Sequence, residues 1–448
     1  MNRIGIDIGG TFTDLVLDNS GKIFSKKYLT TPNNPELGAL DGINKLLQNY
    51  NLEVENIDTI VHGTTIAANA LIERKGAKTA LITTEGFRDV LEMRYEKRFD
   101  QYDLDIELPK PLVPRDLRIC LNERTLITGE ILKKPTNSQL EKITKLLIIE
   151  NIEAVAIAFL HSYSNPQNEQ LVARYLRQNL PKSVTICMSS EISPEAREFE
   201  RFSTTVANAY VRPLMSNYLN SFYQTLTKKG FKGNFFLMSS SGGLTSLEQA
   251  KKVPIRLVES GPAGGIILAS KISKELKEES SIALDIGGTT AKVCYLNQGE
   301  PFITRRLEVA HAWKNKSGSG LPLRIPAMDL VEIGAGGGSI AKMDILGRLV
   351  VGPESAASQP GPACYNLGGE KPTVTDANLV IGRISEESFG GGFINLMLSN
   401  AKTSIKNEIV KKLHFKSTEW AASGIIEIGE ELMANAVRIH GIELGKNI

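Results

Sequence analysis

Two short stretches of this 448-residue sequence carry nearly the same residues: Ile4-Gly5-Ile6-Asp7-Ile8-Gly9-Gly10-Thr11 and Ile282-Ala283-Leu284-Asp285-Ile286-Gly287-Gly288-Thr289, 278 positions apart. An Asp at the end of a buried strand projects into the turn that follows, and Gly-Gly lets that turn close with no Cβ in the way. Backbone N–H groups of the turn and the hydroxyl of the next Thr then converge on one spot where an anion is accepted. A single such hairpin is equally well explained as a glycine-rich turn. Two copies, facing each other, bring two carboxylates and two hydroxyl-amide cradles to one cleft. A triphosphate, with about four negative charges, tolerates two carboxylates only with Mg²⁺ and its waters between them. The pattern therefore suits Mg·ATP. Neither G-x-x-x-x-G-K-[ST] nor a full G-x-G-x-x-G after a strand is present.

The elements that must position these turns repeat as well. Residues 3–8, 13–17 and 22–29 read as a three-strand meander, and 281–286 and 291–296 restart the pattern, with a turn at 297–300 and a third strand to follow. Between them, helical spacing at 35–50, 64–76, 138–150 and 165–179 alternates with strands at 59–62, 77–83 and 154–160, an α/β signature. Residues 195–229 read as one long helical tract with a possible break at Pro213, leading into a strand at 234–238; 93–114 reads as a surface loop. A domain boundary is expected near 183–192, giving segments 1–185 and 190–448.

Composition narrows the classes. Lys+Arg 52 against Asp+Glu 50 gives a net charge of +2, which offers no electrostatic footprint for nucleic acid or an anionic membrane. Cys120, Cys187, Cys294 and Cys364 are scattered without a Cys-x-x-Cys pair, against a zinc or disulfide framework and in keeping with a reducing cytoplasm. No signal-like start or bilayer-length apolar run is seen. The 39 glycines are clustered, notably at 261–265, 334–338 and 361–369.

The paired Asp-Ile-Gly-Gly-Thr turns, with Glu259-Ser260-Gly261-Pro262-Ala263-Gly264-Gly265 just before the second, resemble the phosphate 1, connecting and phosphate 2 motifs of the actin-like ATPase superfamily. Further stretches sharpen the resemblance: His62-Gly63-Thr64-Thr65, Phe159-Leu160-His161-Ser162-Tyr163, Gly334-Ala335-Gly336-Gly337-Gly338-Ser339, Val351-Gly352-Pro353-Glu354-Ser355, Pro360-Gly361-Pro362-Ala363-Cys364-Tyr365 and Thr373-Val374-Thr375-Asp376-Ala377-Asn378. Across essentially the whole chain these look like the A subunit of the hydantoinase and 5-oxoprolinase family. The resemblance implies duplicated actin-like, ribonuclease H-like α/β domains with a nucleotide cleft between them. It implies that Asp7 and Asp285 hold Mg²⁺ through water, that Asp285 or Glu259 orients the nucleophile, and that Gly9, Gly10, Thr11, Thr13, Gly287, Gly288, Thr289, Thr290, Lys292, Gly336 and Gly337 line the nucleotide. The implied reaction is ATP-coupled opening of 5-oxoproline, a hydantoin or another lactam: γ-phosphoryl transfer to the amide carbonyl oxygen, then attack by water. A ketone carboxylase subunit is the sibling reading, and a non-catalytic or split-gene fragment the alternative from another class. The implied partners are a B-type subunit of the family and the cyclic amide, with no nucleic acid and no membrane.

Two departures from the family pattern stand out. Lys292 occupies a position that is often acidic, where the first turn keeps Asp14. A Phe-Gly-Gly-Ala-Gly-Pro stretch resembling the adenosine motif is expected beyond Glu431–Gly445 and is not reached by residue 448, so the expectation is that either another polypeptide supplies that block or nucleotide affinity is compromised.

Other residues admit two readings each. His62, Thr64 and Thr65 either contact substrate or metal or start a helix. Arg98, in a loop with Arg94 and Lys97, either meets a substrate carboxylate or belongs to a mixed-charge surface. Glu354, Asp376 and Asn378 either line the cleft or serve as turn and cap residues. Cys364 and Ser339-x-x-Lys342 fit turn chemistry better than a nucleophile, and His161 does not make a zinc site.

Overall fold

The computed structural model describes all residues except 10–11, 32–34, 97, 99, 107, 312–317, 388, 390–394 and 446–448. Its first sheet begins with the expected meander, β1 (Asn2–Ile8), β2 (Phe12–Asn19) and β3 (Lys22–Leu29), all antiparallel. Strand alternation buries Ile4, Ile6, Ile8, Leu15 and Leu17 on one face. That face is covered by α1 (Pro35–Gln48), whose Leu40, Ile43, Leu46 and Leu47 recur at helical spacing. β4 (Thr59–Thr64) joins parallel to β1 and is followed by α2 (Ile66–Ile72). Thr64, expected to open the helix, is instead the last residue of β4: it lies beside Ile8 in the ladder, and its N–H is met by Ser260 Oγ at 3.2 Å.

A second, all-parallel sheet follows, with β5 (Thr79–Thr84), β6 (Arg118–Leu121), β7 (Ala154–Ala158) and β8 (Thr185–Met188) in the order β8-β7-β5-β6. α3 (Asn137–Ile149) and α4 (Gln167–Asn179) fall where the periodicity put them. α5 (Glu198–Lys228) runs unbroken through Pro213 and packs against both sheets. β9 (Asn234–Met238) and β10 (Leu244–Ser246) then return to the first sheet, completing the order β10-β9-β4-β1-β2-β3. The expected division near 183–192 thus falls on β8 and the short helical turn after it, and the chain beyond finishes the N-terminal sheet.

α6 (Ser260–Leu276) leads into β11 (Ser280–Ile286) and β12 (Ala291–Asn297). Their register, Ser280↔Asn297 to Ile286↔Ala291, reproduces that of β1 and β2, Asn2↔Asn19 to Ile8↔Thr13, shifted by the repeat. The third strand of this copy shrinks to two residues, β13 (Glu300–Pro301), and β14 (Val331–Ile333) takes the rest of that edge of β12. The chain leaves the sheet there because residues 307–309 and 321–325 reach back to α5, burying Leu307, Leu321, Leu323 and Ile325 in the N-terminal core while Arg324 pairs with Glu195 and Glu200. α7 (Val374–Val380) and α8 (Thr418–Glu443) complete this half, α8 covering β12 and β14 through Met433, Ala436 and Val437. β11 departs from expectation: it is an edge strand, with Ile282, Leu284 and Ile286 exposed. No described helix is long and apolar enough to cross a membrane.

Candidate functional site

β1 alternation sends Ile6 to the core and Asp7 to the opposite face, where its neighbour across the antiparallel pair is Asp14 and across the parallel pair Gly63. Asp7 Oδ1 is buried without a hydrogen-bond partner. A Cβ on Gly63 would lie 3.1 Å from that oxygen, and one on Gly261, in the first turn of α6, 3.0 Å from it and 3.1 Å from Oδ2. Two glycines therefore make the room in which this carboxylate sits. Its pKa is pushed up to about 6, first by burial and then by the negative charges of Asp14 and Asp285, against the opposing pull of Lys27 and Lys292. A buried carboxylate oxygen with no donor, near two further carboxylates, has the hard-oxygen chemistry of a Mg²⁺ site. Among the described residues no cluster of three or more His, Cys, Asp or Glu forms a cage.

The two turns close by the same bond. Gly9 N–H donates to Phe12 O at 2.9 Å, and Gly287 N–H to Thr290 O at 2.9 Å. Gly10 and Thr11 lie outside the described residues. Thr13 is buried on the core side, its hydroxyl 3.0 Å from that of Thr30, which donates to Gly9 O at 2.9 Å; these threonines brace the turn from behind. Thr65 also braces it, with its N–H 3.2 Å and its hydroxyl 3.1 Å from Ile8 O. In the second turn, Asp285, Gly287, Gly288 and Thr289 are exposed. The glycine run behind them is a buttress: Gly337 and Gly338 N–H donate to Gly287 O and Gly288 O at 3.0 and 2.6 Å, and a Cβ on Gly336 would come within 2.7 Å of Gly287 O. Gly336 and Gly337 hold the turn from below, with the Gly337 N–H already spent.

α6 begins beside Asp7, and its N-terminal end adds a favourable field for negative charge. Glu259 caps that end with φ of +62°, a conformation uncommon for a non-glycine residue, and forms an ion pair with Lys292. Lys292 stands across from Asp285, as Asp14 stands across from Asp7. In the first copy the equivalent acid is neutralised from the next strand, by Lys27 at 2.7 Å. The second turn thus carries its cation where the first carries an anion. Asp285 and Lys292 lie near enough for their charges to act on Asp7, Glu259 pairs with Lys292, and Gly63, Gly261 and Lys27 complete the surroundings. The signal for Gly63 was present, since it stands in register with Asp7 one strand away.

Other expected residues lie elsewhere. His62 is fully buried on the core side of β4, Nε2 2.8 Å from Tyr218 Oη and stacked on Phe222, and burial lowers its pKa to about 4. Asp376 is fully buried and accepts from Ala363, Cys364 and Thr373 N–H and from the Thr373 hydroxyl at 2.7–3.2 Å; it caps α7 and anchors the 360–365 loop. Glu354 is exposed and paired with Lys342 at 2.7 Å. Arg98 is exposed and donates to Asp103 O. Burial and Asp376 raise the Cys364 thiol pKa far above its ordinary value, which removes it as a nucleophile.

Residues 201–447 match the hydantoinase/oxoprolinase family and residues 3–180 the hydantoinase/oxoprolinase N-terminal region. An uncharacterized protein of Methanocaldococcus jannaschii is 43% identical over 99% of the chain and 65% of its own length. The caprolactamase subunit alpha of Pseudomonas jessenii is 33% identical over 99% of the chain and 63% of its own. The crystal structure of that organism's ATP-dependent caprolactamase superposes with a TM-score of 0.82 at 32% identity, covering 97% of this chain and 62% of that one. Acetone carboxylase, solved nucleotide-free in work on ATP-dependent acetone carboxylation, gives 0.81 at 28%, covering 100% and 64%. The chain thus spans less than two thirds of the length of each of these relatives. The fold is that of actin-like ATP-dependent enzymes.

Proposed function

Because this chain belongs to the hydantoinase/oxoprolinase family, we propose that it is the nucleotide-binding part of an ATP-dependent enzyme that opens a cyclic amide, working in a complex with a B-type subunit. The observation that carries this reading is Asp7: a buried acceptor with no donor, in a space kept open by Gly63 and Gly261, at the start of the first of two turns closed by the same bond, and within reach of the Asp285 charge. Asp7 and Asp285 would hold Mg²⁺ through its waters, and the ion when bound would neutralise charge on the phosphate oxygens.

A lactam resists water because its carbonyl is stabilised by the ring nitrogen. Transfer of the γ-phosphoryl group of ATP to the carbonyl oxygen removes that stabilisation and leaves ADP. Water then adds to the carbon, the ring C–N bond breaks with the proton going to nitrogen, and a second water releases phosphate from the acyl phosphate. The chain's share of this work is alignment and charge control: the turns fix the phosphates, α6 directs its N-terminal field at them, and Lys292 offers a cation beside Asp285. Asp285, or Glu259 once released from Lys292, would orient the attacking group.

Ketone carboxylation is the second reading, supported by the TM-score of 0.81 to acetone carboxylase. There the phosphoryl group would be taken by an enolate oxygen and bicarbonate would follow. The test is product analysis of the purified complex given Mg·ATP with either a panel of lactams or ketones plus bicarbonate. Ring-opened amino acid formed with stoichiometric ADP supports the first reading, a carboxylated ketone the second. Absence of ADP release with either panel abandons both in favour of a non-catalytic subunit.

A further inference from the structure

The two copies arrange their charges differently in rows that are otherwise equivalent. Residues directly opposite each other on antiparallel strands share a face. In the first copy the row is Asp7 on β1, Asp14 on β2 and Lys27 on β3. Lys27 pairs with Asp14 at 2.7 Å, so the cation stays two strands away from Asp7, whose Oδ1 is left without a donor. In the second copy the row is Asp285 on β11, Lys292 on β12 and Glu332 on β14. Its net charge is the same, but the cation has moved one strand towards the turn and has a carboxylate on either side. Among the described residues Lys292 forms an ion pair with neither of these acids. It reaches off the sheet to Glu259.

That pairing joins the two copies. Ala283, Cys294 and Leu296 share a face with Asp285 and Lys292 and pack with Ala263 and Ile266, so the charged row lies on the face that α6 covers. The start of α6 also touches the first copy: Gly261 faces the Asp7 carboxylate, and Ser260 Oγ accepts from Thr64 N–H and donates to Thr64 O, each at 3.2 Å. Glu259 holds the N-cap position, where a short polar side chain ordinarily accepts from the N–H groups of the helix, yet its carboxylate makes no such bond. Its backbone, with φ of +62°, directs the side chain to Lys292 instead. The two side chains are 18% and 19% exposed, which shields the pair from solvent screening. The Lys292 charge also acts on Asp7.

We infer that Glu259 and Lys292 form a latch that the terminal phosphate of ATP opens, the Lys292 ammonium leaving the carboxylate for the phosphate, so that this pair sets a preference for triphosphate over diphosphate. The inference deepens the Mg·ATP reading and rests on it. A terminal phosphate carries up to about two negative charges against the one on Glu259, and so attracts the ammonium more strongly. The freed carboxylate keeps the N-terminal field of α6, which offsets the loss of its partner. ADP ends one phosphate short and leaves the latch closed. While the latch holds Lys292, the apparent affinity for a triphosphate is lowered by the fraction of molecules in which the ammonium is free.

The test measures Kd for ADP and for the β,γ-imido analogue of ATP, each with Mg²⁺, by calorimetry on the full-length protein in its native assembly. Glu259→Gln removes the competing charge and should tighten the analogue about tenfold while leaving ADP unchanged. Lys292→Met should weaken the analogue at least about tenfold, again with ADP unchanged. The ADP value of each sample reports that the site is folded. The double variant should match Lys292→Met alone, because the gain at Glu259 acts only through Lys292. Glu332→Gln, an exposed acid across from Lys292, controls for charge in general and should move either Kd by less than about twofold. A gain that persists in the double variant is plain repulsion of the phosphate and overturns the latch. So does an analogue Kd that Glu259→Gln leaves unchanged or weakens, and so does a loss in Lys292→Met shared equally by ADP. In those cases nucleotide still binds and the Mg·ATP reading stands. Parent protein that binds neither nucleotide overturns that reading, and the latch with it.

Discussion

Replacing Asp7 by Asn should make the nucleotide-free fold more stable and the site inert. The carboxyl moves from 3.8, the ordinary aspartate value, to about 6 in the fold. That difference corresponds to about 3 kcal/mol held against the ionised form. The sign follows from linkage: a raised acid contributes its full stability below pH 3.8 and loses it as pH climbs through about 6. The amide is uncharged at every pH. Asp7→Asn should therefore gain about 3 kcal/mol over the parent at pH 7.5, and the gain should vanish towards pH 4. With an unfolding entropy of about 2.1 cal/mol/K per residue over 448 residues, the gain at pH 7.5 is about 3 °C in Tm. His62 acts in the opposite sense: its pKa of about 4 in the fold, below the usual 6.5, means stability present above 6.5 and lost as pH falls towards 4. Both proteins share His62, so their difference isolates Asp7. The assay is chemical denaturation and thermal melting of both proteins from pH 4 to 8, with Mg·ATP binding by calorimetry on the same samples. A difference independent of pH, or a variant less stable at pH 7.5, refutes the reasoning.

Further outcomes are expected at five positions. Gly261→Ala puts a methyl 3.0 Å from Asp7 Oδ1, and should weaken Mg·ATP binding at least tenfold while leaving Tm within about 2 °C; calorimetry and melting read both. Lys292→Met removes a cation that lowers the Asp7 pKa, so the pH midpoint of the stability difference just described should move above about 6. Asp376→Ala strands four donors inside the protein and should cost about 2–4 kcal/mol by denaturation, whereas Glu354→Ala, an exposed ion-pair change, should stay within about 0.5 kcal/mol. His62→Ala should cost about 3 kcal/mol through the lost core contacts with Tyr218 and Phe222, with KM per folded molecule unchanged.

The repeat was legible because it is written in residues with few alternatives: Asp, Gly-Gly and Thr at fixed spacing, flanked by alternating isoleucines. The shared register and the matching turn bonds of the two hairpins follow from it. His62 was misleading, since a histidine in a glycine-threonine run reads as chemistry. Its position two residues from Ile60 on an alternating strand was the better guide, and it placed the ring in the core. Thr373-x-x-Asp376 carried a capping-box spacing that explains Asp376 without substrate. The packing of Gly336 and Gly337 under the second turn, the return of residues 307–309 and 321–325 to α5 and the exposure of β11 depend on contacts between distant segments. Local pattern does not encode those; only the comparison of the two copies in three dimensions shows β11 exposed where β1 is buried.

The most direct test of the central claim, that the paired turns form one Mg-nucleotide site, is a crystal structure of the complex with a non-hydrolysable ATP analogue and Mn²⁺ in place of Mg²⁺. The account predicts an anomalous Mn²⁺ peak one water away from the Asp7 and Asp285 carboxylates, with the phosphates between residues 9–13 and 287–290. A nucleotide bound elsewhere, or phosphates between the turns with no ion beside Asp7, would contradict it.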